Sequence, residues 1–359
     1  MATTSDDHSE SLSRVGDPTP GVPGMDTDGL AAYLDRTAPG LRHGPLTVRL
    51  LSGGRSNLTY AVTDGEHEWV LRRPPLGHVL ETAHDMSREY RVLSALAATD
   101  VPVPATVSLC PGAEVLGAPF YLMEFTAGPI YRNTKQLEGI PAAQAEMLAD
   151  ELVDVLTRLH DVNAESVGLG DLGRPTGYLD RQVRRWKKQV ESSRSRKVPG
   201  LHELADRLAL SIPATQRTAI VHGDYRLDNV VFDAAEPAQI RAVLDWEMAT
   251  LGDPLTDIAS TIMWWDGITG LNSPIAAVPG EAAGFPTRNR LLERYANLTG
   301  LDLSPMPWYV AFSFYKIAAI FEGIYYRHVQ GLAVGDGFDQ LAGMVGELVS
   351  RGHDALDNA

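Results

Sequence analysis

The chain changes rhythm once. Between Leu46 and Phe125 apolar residues come in short runs, and from Ala143 onward they mostly recur every three or four positions. Leu46–Leu51, Leu58–Thr63 and Glu68–Leu71 are rich in β-branched or aromatic residues, which predicts strands. Asp64-Gly65 between the second and third predicts a hairpin. Ala83–Ala97 places Met86, Tyr90, Leu93 and Leu96 or Ala97 on one helical face. Thr106–Cys110 and Phe120–Phe125 read as two more strands across a Pro/Gly loop. Earlier, Asp26–Leu34 predicts a short amphipathic helix with Asp26 or Thr27 as its N-cap. The first part should therefore be an antiparallel sheet of about five strands with one helix inserted after the third.

Thr126–Pro141 holds two glycines and two prolines with little periodicity, and marks the best boundary. Beyond it, Ala143–His160 carries Leu148, Leu152, Val155, Leu156 and Leu159 at helical spacing. Only Ala219–His222 and Arg241–Leu244 break the helical pattern as short apolar runs. Tyr309–Tyr326 is the most apolar later stretch, but it contains Lys316 and Glu322 and reads as a buried helix, not a membrane span. The expected organisation is a polar, disordered tail over 1–25, a sheet lobe over 26–126 and a helical lobe over 127–359. Strands, one helix, a crossover and then helices make an α+β pattern.

Composition narrows the partners. The 359 residues carry a net charge of -15, which argues against nucleic acid or an anionic membrane as the main partner. One cysteine, Cys110, leaves no internal disulfide and no four-thiolate zinc site, so a reducing cytoplasm is expected. The N-terminal residues have no apolar run of the kind a signal peptide or anchor needs.

The chemistry concentrates in two polar groups that emerge from apolar runs. The first is His222-Gly223-Asp224-Tyr225-Arg226-Leu227-Asp228-Asn229, followed by Val230-Val231-Phe232. The second is Val243-Leu244-Asp245-Trp246-Glu247. Phosphoryl transfer needs a carboxylate to orient the attacking hydroxyl and hard oxygen ligands for Mg²⁺. Asp224 suits the first role, and Asn229 and Asp245 suit the second.

HGDYRLDN followed by LDWE resembles the catalytic loop and metal-binding Asp of the aminoglycoside phosphotransferase family, which shares its fold with choline kinases and protein kinases. Gly223 replaces the Arg of H-R-D, and Asp245-Trp246-Glu247 replaces D-F-G, departures that point to small-molecule kinases. The resemblance covers most of 45–345. It implies a protein-kinase-like two-lobed fold, with a small antiparallel-sheet N-lobe that binds nucleotide, a larger helical lobe for catalysis and substrate, and a nucleotide cleft between them. ATP is the implied nucleotide, with GTP also open, together with Mg²⁺. Ser52-Gly53-Gly54-Arg55-Ser56-Asn57 lies where the family has its nucleotide-covering loop, so Gly53, Gly54, Ser56 and Asn57 are expected near phosphate. Arg72 takes the place of the strand Lys that grips phosphates; Arg73 is the alternative if the register slips by one. Glu89 matches the helix acid that pairs with that basic residue, and Glu124 and Phe125 match the hinge that meets the adenine edge. Asp257 and His222 are expected to be structural, and His160-Asp161 to be a helix end with a capping His and not a catalytic dyad.

Val70-Leu71-Arg72-Arg73-Pro74-Pro75 and Leu244–Pro254 are similar to the branch of the family associated with acyl-CoA dehydrogenases. The expected partner is a small-molecule hydroxyl substrate, with oligomeric state open. Aromatic residues around Trp264, Phe312 and Tyr325 favour an apolar or amphipathic acceptor, such as a hydroxyacyl compound. Asp266 and Glu322 are the acids nearest to hand for an aminoglycoside's ammonium groups. The rivals are an aminoglycoside phosphotransferase, a protein kinase and a nucleotide-binding module without turnover. The lack of an Ala-Pro-Glu segment after Asp245 weighs against the protein kinase, and the presence of all three chemistry positions weighs against the inert module.

Overall fold

The computed structural model describes residues 22–51, 57–76, 85–193, 196–236, 238–271, 275–331 and 338–358. The chain groups into two compact units. One runs to Pro129 and adds Val231–Ala234 and Arg241–Glu247; the other takes Ile130–Val230, Ala235–Ile240 and the remainder from Met248. The strip carrying Asp245 thus belongs by contact with the first unit, although it lies far beyond the Pro/Gly boundary in sequence.

In the first unit, Asp26 accepts a hydrogen bond from the Gly29 backbone N–H at 2.9 Å and so starts α1, Thr27–Thr37. The sheet follows with β1 (Thr47–Leu50), β2 (Leu58–Thr63) and β3 (Glu68–Arg73). Then come α2 (Met86–Leu96), capped by Asp85, and the strands β4 (Thr106–Cys110) and β5 (Phe120–Glu124). All neighbours are antiparallel in the order β1-β2-β3-β5-β4. The β2–β3 hairpin turns through Gly65, whose φ of 93° suits a residue without a Cβ.

Strand alternation divides the sheet into two faces. Tyr60, Val62, Trp69, Leu71, Phe120 and Leu122 pack with Leu30 and Leu34 of α1 into one core. The intervening positions of β3 turn the other way, and β3 runs past the expected Leu71 to include Arg72 and Arg73. The two arginines part accordingly. Arg73 bonds the carbonyls of Gly24 and Leu116, beside the α1 core, whereas Arg72 meets Glu89 of α2.

The second unit is mainly helical: α3 (Ala142–Asp161), α4 (Tyr178–Ser192), α5 (Leu201–Leu210), α6 (Leu255–Ile262), α7 (Arg288–Thr299), α8 (Met306–Val329) and α9 (Phe338–Asp357). α8 is buried over most of its length and packs along α9. Among the described residues no helix is long and apolar enough to cross a membrane. Four short strands interrupt the helices where the sequence pattern indicates two: β6 (Ala219–Val221), β7 (Val230–Phe232), β8 (Ile240–Val243) and β9 (Thr250–Gly252). They pair as β6 with β9 and β7 with β8. β7 and β9 are three-residue segments, and β7 is the Val230-Val231-Phe232 run that follows the first polar motif.

Candidate active site

In the first unit six polar side chains converge on the α2 face of the sheet. Arg72 donates from Nη2 to Asp245 Oδ1 at 2.9 Å, and its Nε lies 3.3 Å from Glu89 Oε2. Glu89 is 1% exposed, so its charge needs partners. It receives the Tyr121 hydroxyl at 2.9 Å and the Asn57 amide at 3.0 Å. Asn57 also donates to Glu247 at 3.1 Å. Burial alone would lower the Arg72 pKa, but Tyr121, Asp245 and Glu89 outweigh it and hold the guanidinium well above its usual value. Burial lifts Glu89 above the ordinary carboxylate range against the opposing pull of Arg72.

Asp245 stands apart in its backbone. With φ at 66°, it is the single non-glycine residue at positive φ among the described residues. Trp246 explains how that bend is held: its indole is buried, and Nε1 donates back to the Val243 carbonyl at 2.9 Å. The Asp-Trp pair therefore works as a turn, with Trp anchoring and Asp presented. The Asp245 side chain remains 30% exposed, whereas that of Arg72 is 10% exposed.

In the second unit the loop after β6 carries His222 to Asn229. Asp257, in the first turn of α6, accepts the backbone N–H of His222 at 2.7 Å and of Gly223 at 2.8 Å. Its Oδ2 lies 3.3 Å from His160 Nε2, and His160 Nδ1 lies 2.8 Å from the Tyr295 hydroxyl. Burial raises the Asp257 carboxyl, but His160, His222 and the Gly223 amide together hold it below its ordinary value. Tyr225 donates to the Leu152 carbonyl, and Thr261 donates to the Tyr225 carbonyl, both at 2.9 Å.

Gly223 has φ at 85°, and a Cβ there would lie 2.8 Å from the Met248 Cβ. Both facts require glycine where protein kinases have arginine. The Gly223 carbonyl in turn accepts Lys316 Nζ from α8. Asp224 then faces three cationic or cation-capable neighbours. Burial pushes its carboxyl up, but Arg226, Lys316 and His222 outweigh this and hold it below the usual carboxylate range. Arg226 Nε sits 3.2 Å from Asp224 Oδ2. The same guanidinium meets Asp228 Oδ2 at 3.0 Å and lies over the Trp264 ring at 4.9 Å. Asp228 is pushed up to about 6 by burial, with Asp224 adding to the rise and Arg226 opposing it.

Asn229 is 8% exposed, and its amide nitrogen donates to the Asp224 carbonyl at 2.9 Å and to Asp224 Oδ2 at 3.1 Å. With the nitrogen spent on Asp224, Oδ1 is the atom Asn229 can offer a cation. Asp245 similarly commits Oδ1 to Arg72 and keeps a partly exposed carboxylate. Both donor sets fit a hard divalent ion, which takes oxygen ligands.

The sequence-predicted residues fare differently. Arg72, Glu89, Asn57 and Asp245 are brought together in the first unit, and Asp224 and Asn229 in the second. Asn57 is 2% exposed and serves two acids, a bracing position within the cluster. Gly53, Gly54 and Ser56 lie outside the described residues. The backbone N–H groups of Glu124 and Phe125 already donate to the carbonyls of Ala105 and Glu68, so those two N–H groups are not open to an adenine edge. His160 departs from the capping expectation: it is buried and bonded to Tyr295 and Asp257, while Asp161 pairs with Arg217. Sequence reasoning leaves out Lys316, Arg226, Tyr121 and Tyr295. Lys316 and Tyr295 reach their sites from distant segments, Tyr121 has an ordinary core reading, and Arg226 sits inside the motif two residues from Asp224. A lone Lys in the apolar run of α8 is the signal that Lys316 offers.

The family profile described as the phosphotransferase enzyme family matches residues 47–295. A mouse protein, acyl-CoA dehydrogenase family member 10, is 36% identical over 85% of this chain, which spans 29% of that protein. The chain thus spans less than half the length of such curated relatives. A crystal structure from Ralstonia eutropha, provisionally named an aminoglycoside phosphotransferase, is 36% identical with a TM-score of 0.80, covering 93% of this chain and 99% of that one. A thermostable mutant of aminoglycoside phosphotransferase APH(4)-Ia, in ternary complex with AMP-PNP and hygromycin B, shares the fold at 16% identity and TM-score 0.59, covering 92% and 98% of the two chains. The five-stranded sheet, the braced HGDYRLDN loop and the profile over 47–295 agree, and the chain belongs to the aminoglycoside phosphotransferase (APH) family of phosphotransferases with a protein-kinase-like fold.

Proposed function

We propose that this chain is an ATP-dependent kinase that phosphorylates a hydroxyl of a small-molecule metabolite. The observation that carries the reading is Asp224, held below the usual carboxylate range by Arg226, Lys316 and His222 and hydrogen-bonded by Asn229. A carboxylate kept ionised at neutral pH is what orients an acceptor hydroxyl. The hydroxyl oxygen bonds to the γ-phosphorus as the bond to the leaving nucleoside diphosphate breaks, and the hydroxyl proton passes late to Asp224. Asn229 Oδ1 and the Asp245 carboxylate are the groups expected to hold Mg²⁺, which when bound neutralises phosphate charge. Arg72 is the phosphate-gripping cation, and a guanidinium has donors beyond the one given to Asp245. AMP-PNP in the ternary complex of the APH(4)-Ia relative supports ATP as the nucleotide.

For the acceptor, we favour a hydroxyacyl compound over an aminoglycoside. Asp266 is paired with Arg288 at 2.6 Å, and Glu322 with Arg196, so each acid already has a cation. The curated relatives are named as acyl-CoA dehydrogenase family members, which supports an acyl-type metabolite. The test is a side-by-side assay of phosphoryl transfer from ATP to hydroxyacyl thioesters and to kanamycin-type aminoglycosides, at low and moderate salt. Turnover of the thioesters alone is expected. Efficient aminoglycoside turnover with KM rising steeply with salt would overturn the acceptor, and Mg²⁺-dependent ATP binding without transfer to any acceptor would favour a module without turnover.

A further inference from the structure

A second cluster lies in the first unit, where the loop before β1 meets the β2–β3 hairpin. One ligating atom each from His43, Glu66 and His67 lies within 4.8 Å of the other two. His43 Nδ1 is 2.5 Å from Glu66 Oε2, and the two imidazoles meet edge to face with centroids 5.1 Å apart. His67 stacks on Trp69, which is 3% exposed, so its ring rests on the core.

Asp64 gathers this arrangement. Its side chain is fully buried and accepts the backbone N–H groups of His43 at 2.7 Å, Glu66 at 2.9 Å and His67 at 2.7 Å. Its Oδ2 also lies 3.4 Å from His67 Nδ1, the kind of carboxylate that orients a ligating imidazole. All three outer residues are therefore tied through their backbones to one buried anion. The ordering that a flexible surface trio would need on binding is largely done by the fold.

We propose that His43, Glu66 and His67 form a site for a borderline divalent transition-metal ion of the Zn²⁺ class. Two imidazole nitrogens and one carboxylate oxygen suit Zn²⁺ and, in affinity order, Ni²⁺ or Cu²⁺; Mg²⁺ and Ca²⁺ prefer all-oxygen sets. The side chains are 56%, 67% and 48% exposed in the order His43, Glu66, His67, so water completes the coordination. The ion would tie the loop at His43 to the hairpin and stabilise the first unit by mass action. It is separate from the Mg²⁺ proposed for phosphoryl transfer.

The test uses the full chain stripped with a chelator. Calorimetric titration with ZnCl₂ should give one ion per chain with Kd in the micromolar range or below, unaffected by millimolar Mg²⁺. Saturating Zn²⁺ should raise Tm, and Co²⁺ should give a visible absorption band without thiolate character. His43→Ala and His67→Ala should each weaken binding about 10-fold or more and abolish the Tm rise. Glu66→Gln, whose backbone bond to Asp64 is untouched, serves as the variant that keeps the turn. Absence of binding, or equal binding by wild type and the His43→Ala/His67→Ala double variant, would overturn the proposal and reduce His43–Glu66 to a surface ion pair.

Discussion

Around Arg72, the functional groups satisfy one another: Asp245, Glu89, Tyr121 and Asn57 are each other's partners. Around Asp224, the bracing is delegated. Asp257, His160, Tyr295, Thr261 and Lys316 hold the backbone of the loop and leave the Asp224 carboxylate partly exposed. The difference matters for what each can tolerate. In the first unit a substitution strips a partner from a buried charge and also removes a group proposed to meet the nucleotide. In the second unit, geometry and chemistry reside on different residues and can be separated by mutation.

The largest effect should come from the first unit. Asp245→Ala is predicted to reduce turnover to background and to weaken Mg²⁺–ATP binding, because it removes the proposed oxygen ligand and an Arg72 partner together. Asn229→Ala should act in the same direction more mildly. Metal titrations with ATP that leave both variants like wild type would erase the distinction drawn here.

Asp257→Ala comes next and should look different. It orphans two backbone N–H groups, each costing about 1–3 kcal/mol when buried and unsatisfied. A lower Tm and a kcat reduced about 10-fold or more are expected, with KM for ATP near wild type. A change confined to KM for ATP would contradict the bracing role.

Lys316→Met should lower kcat several-fold and move the acid limb of its pH profile upward. Lys316 helps keep the Asp224 carboxyl depressed, so losing that cation lets the carboxyl protonate at higher pH. Arg72→Ala should instead raise KM for ATP, whereas Arg73→Ala should lower Tm, since it anchors Gly24 and Leu116. Steady-state kinetics beside thermal melts separate these outcomes, and an Arg73-only effect on KM would place the wrong arginine at the nucleotide.

The smallest effect concerns Asp228. Its carboxyl, pushed up to about 6, favours the native state in its neutral form. That contribution is complete below the ordinary carboxylate range and is lost as pH rises through about 6. Asp228→Asn should therefore show a shallower fall in Tm between pH 4.5 and 7 than wild type, on a scale of about 1–2 °C per kcal/mol at this chain length. Parallel curves for the two proteins would remove Asp228 from the account.

Legibility in the sequence follows the same divide. The sheet was readable because its strands are short runs rich in β-branched and aromatic residues, and alternation in Val70-Leu71-Arg72-Arg73 already separates the two arginines. HGDYRLDN and LDWE are recognisable because each is a short continuous stretch. The bracing is not. Lys316 lies 93 positions from the carbonyl it holds, and Tyr295 lies 135 from His160, pairings that only the folded chain creates. The left-handed turn at Asp245 is hidden as well, because Asp carries no glycine-like signature and Trp246 reads simply as core.

The central claim is that Asp224 is the group that receives the acceptor's proton, and Asp224→Asn tests it most directly. Transfer of labelled γ-phosphate from ATP to a hydroxyacyl thioester should be measured for wild type and variant, alongside ATP binding and Tm. The account predicts a loss of kcat of about 10²-fold or more with ATP affinity and folding retained. Turnover close to wild type in the variant would contradict it.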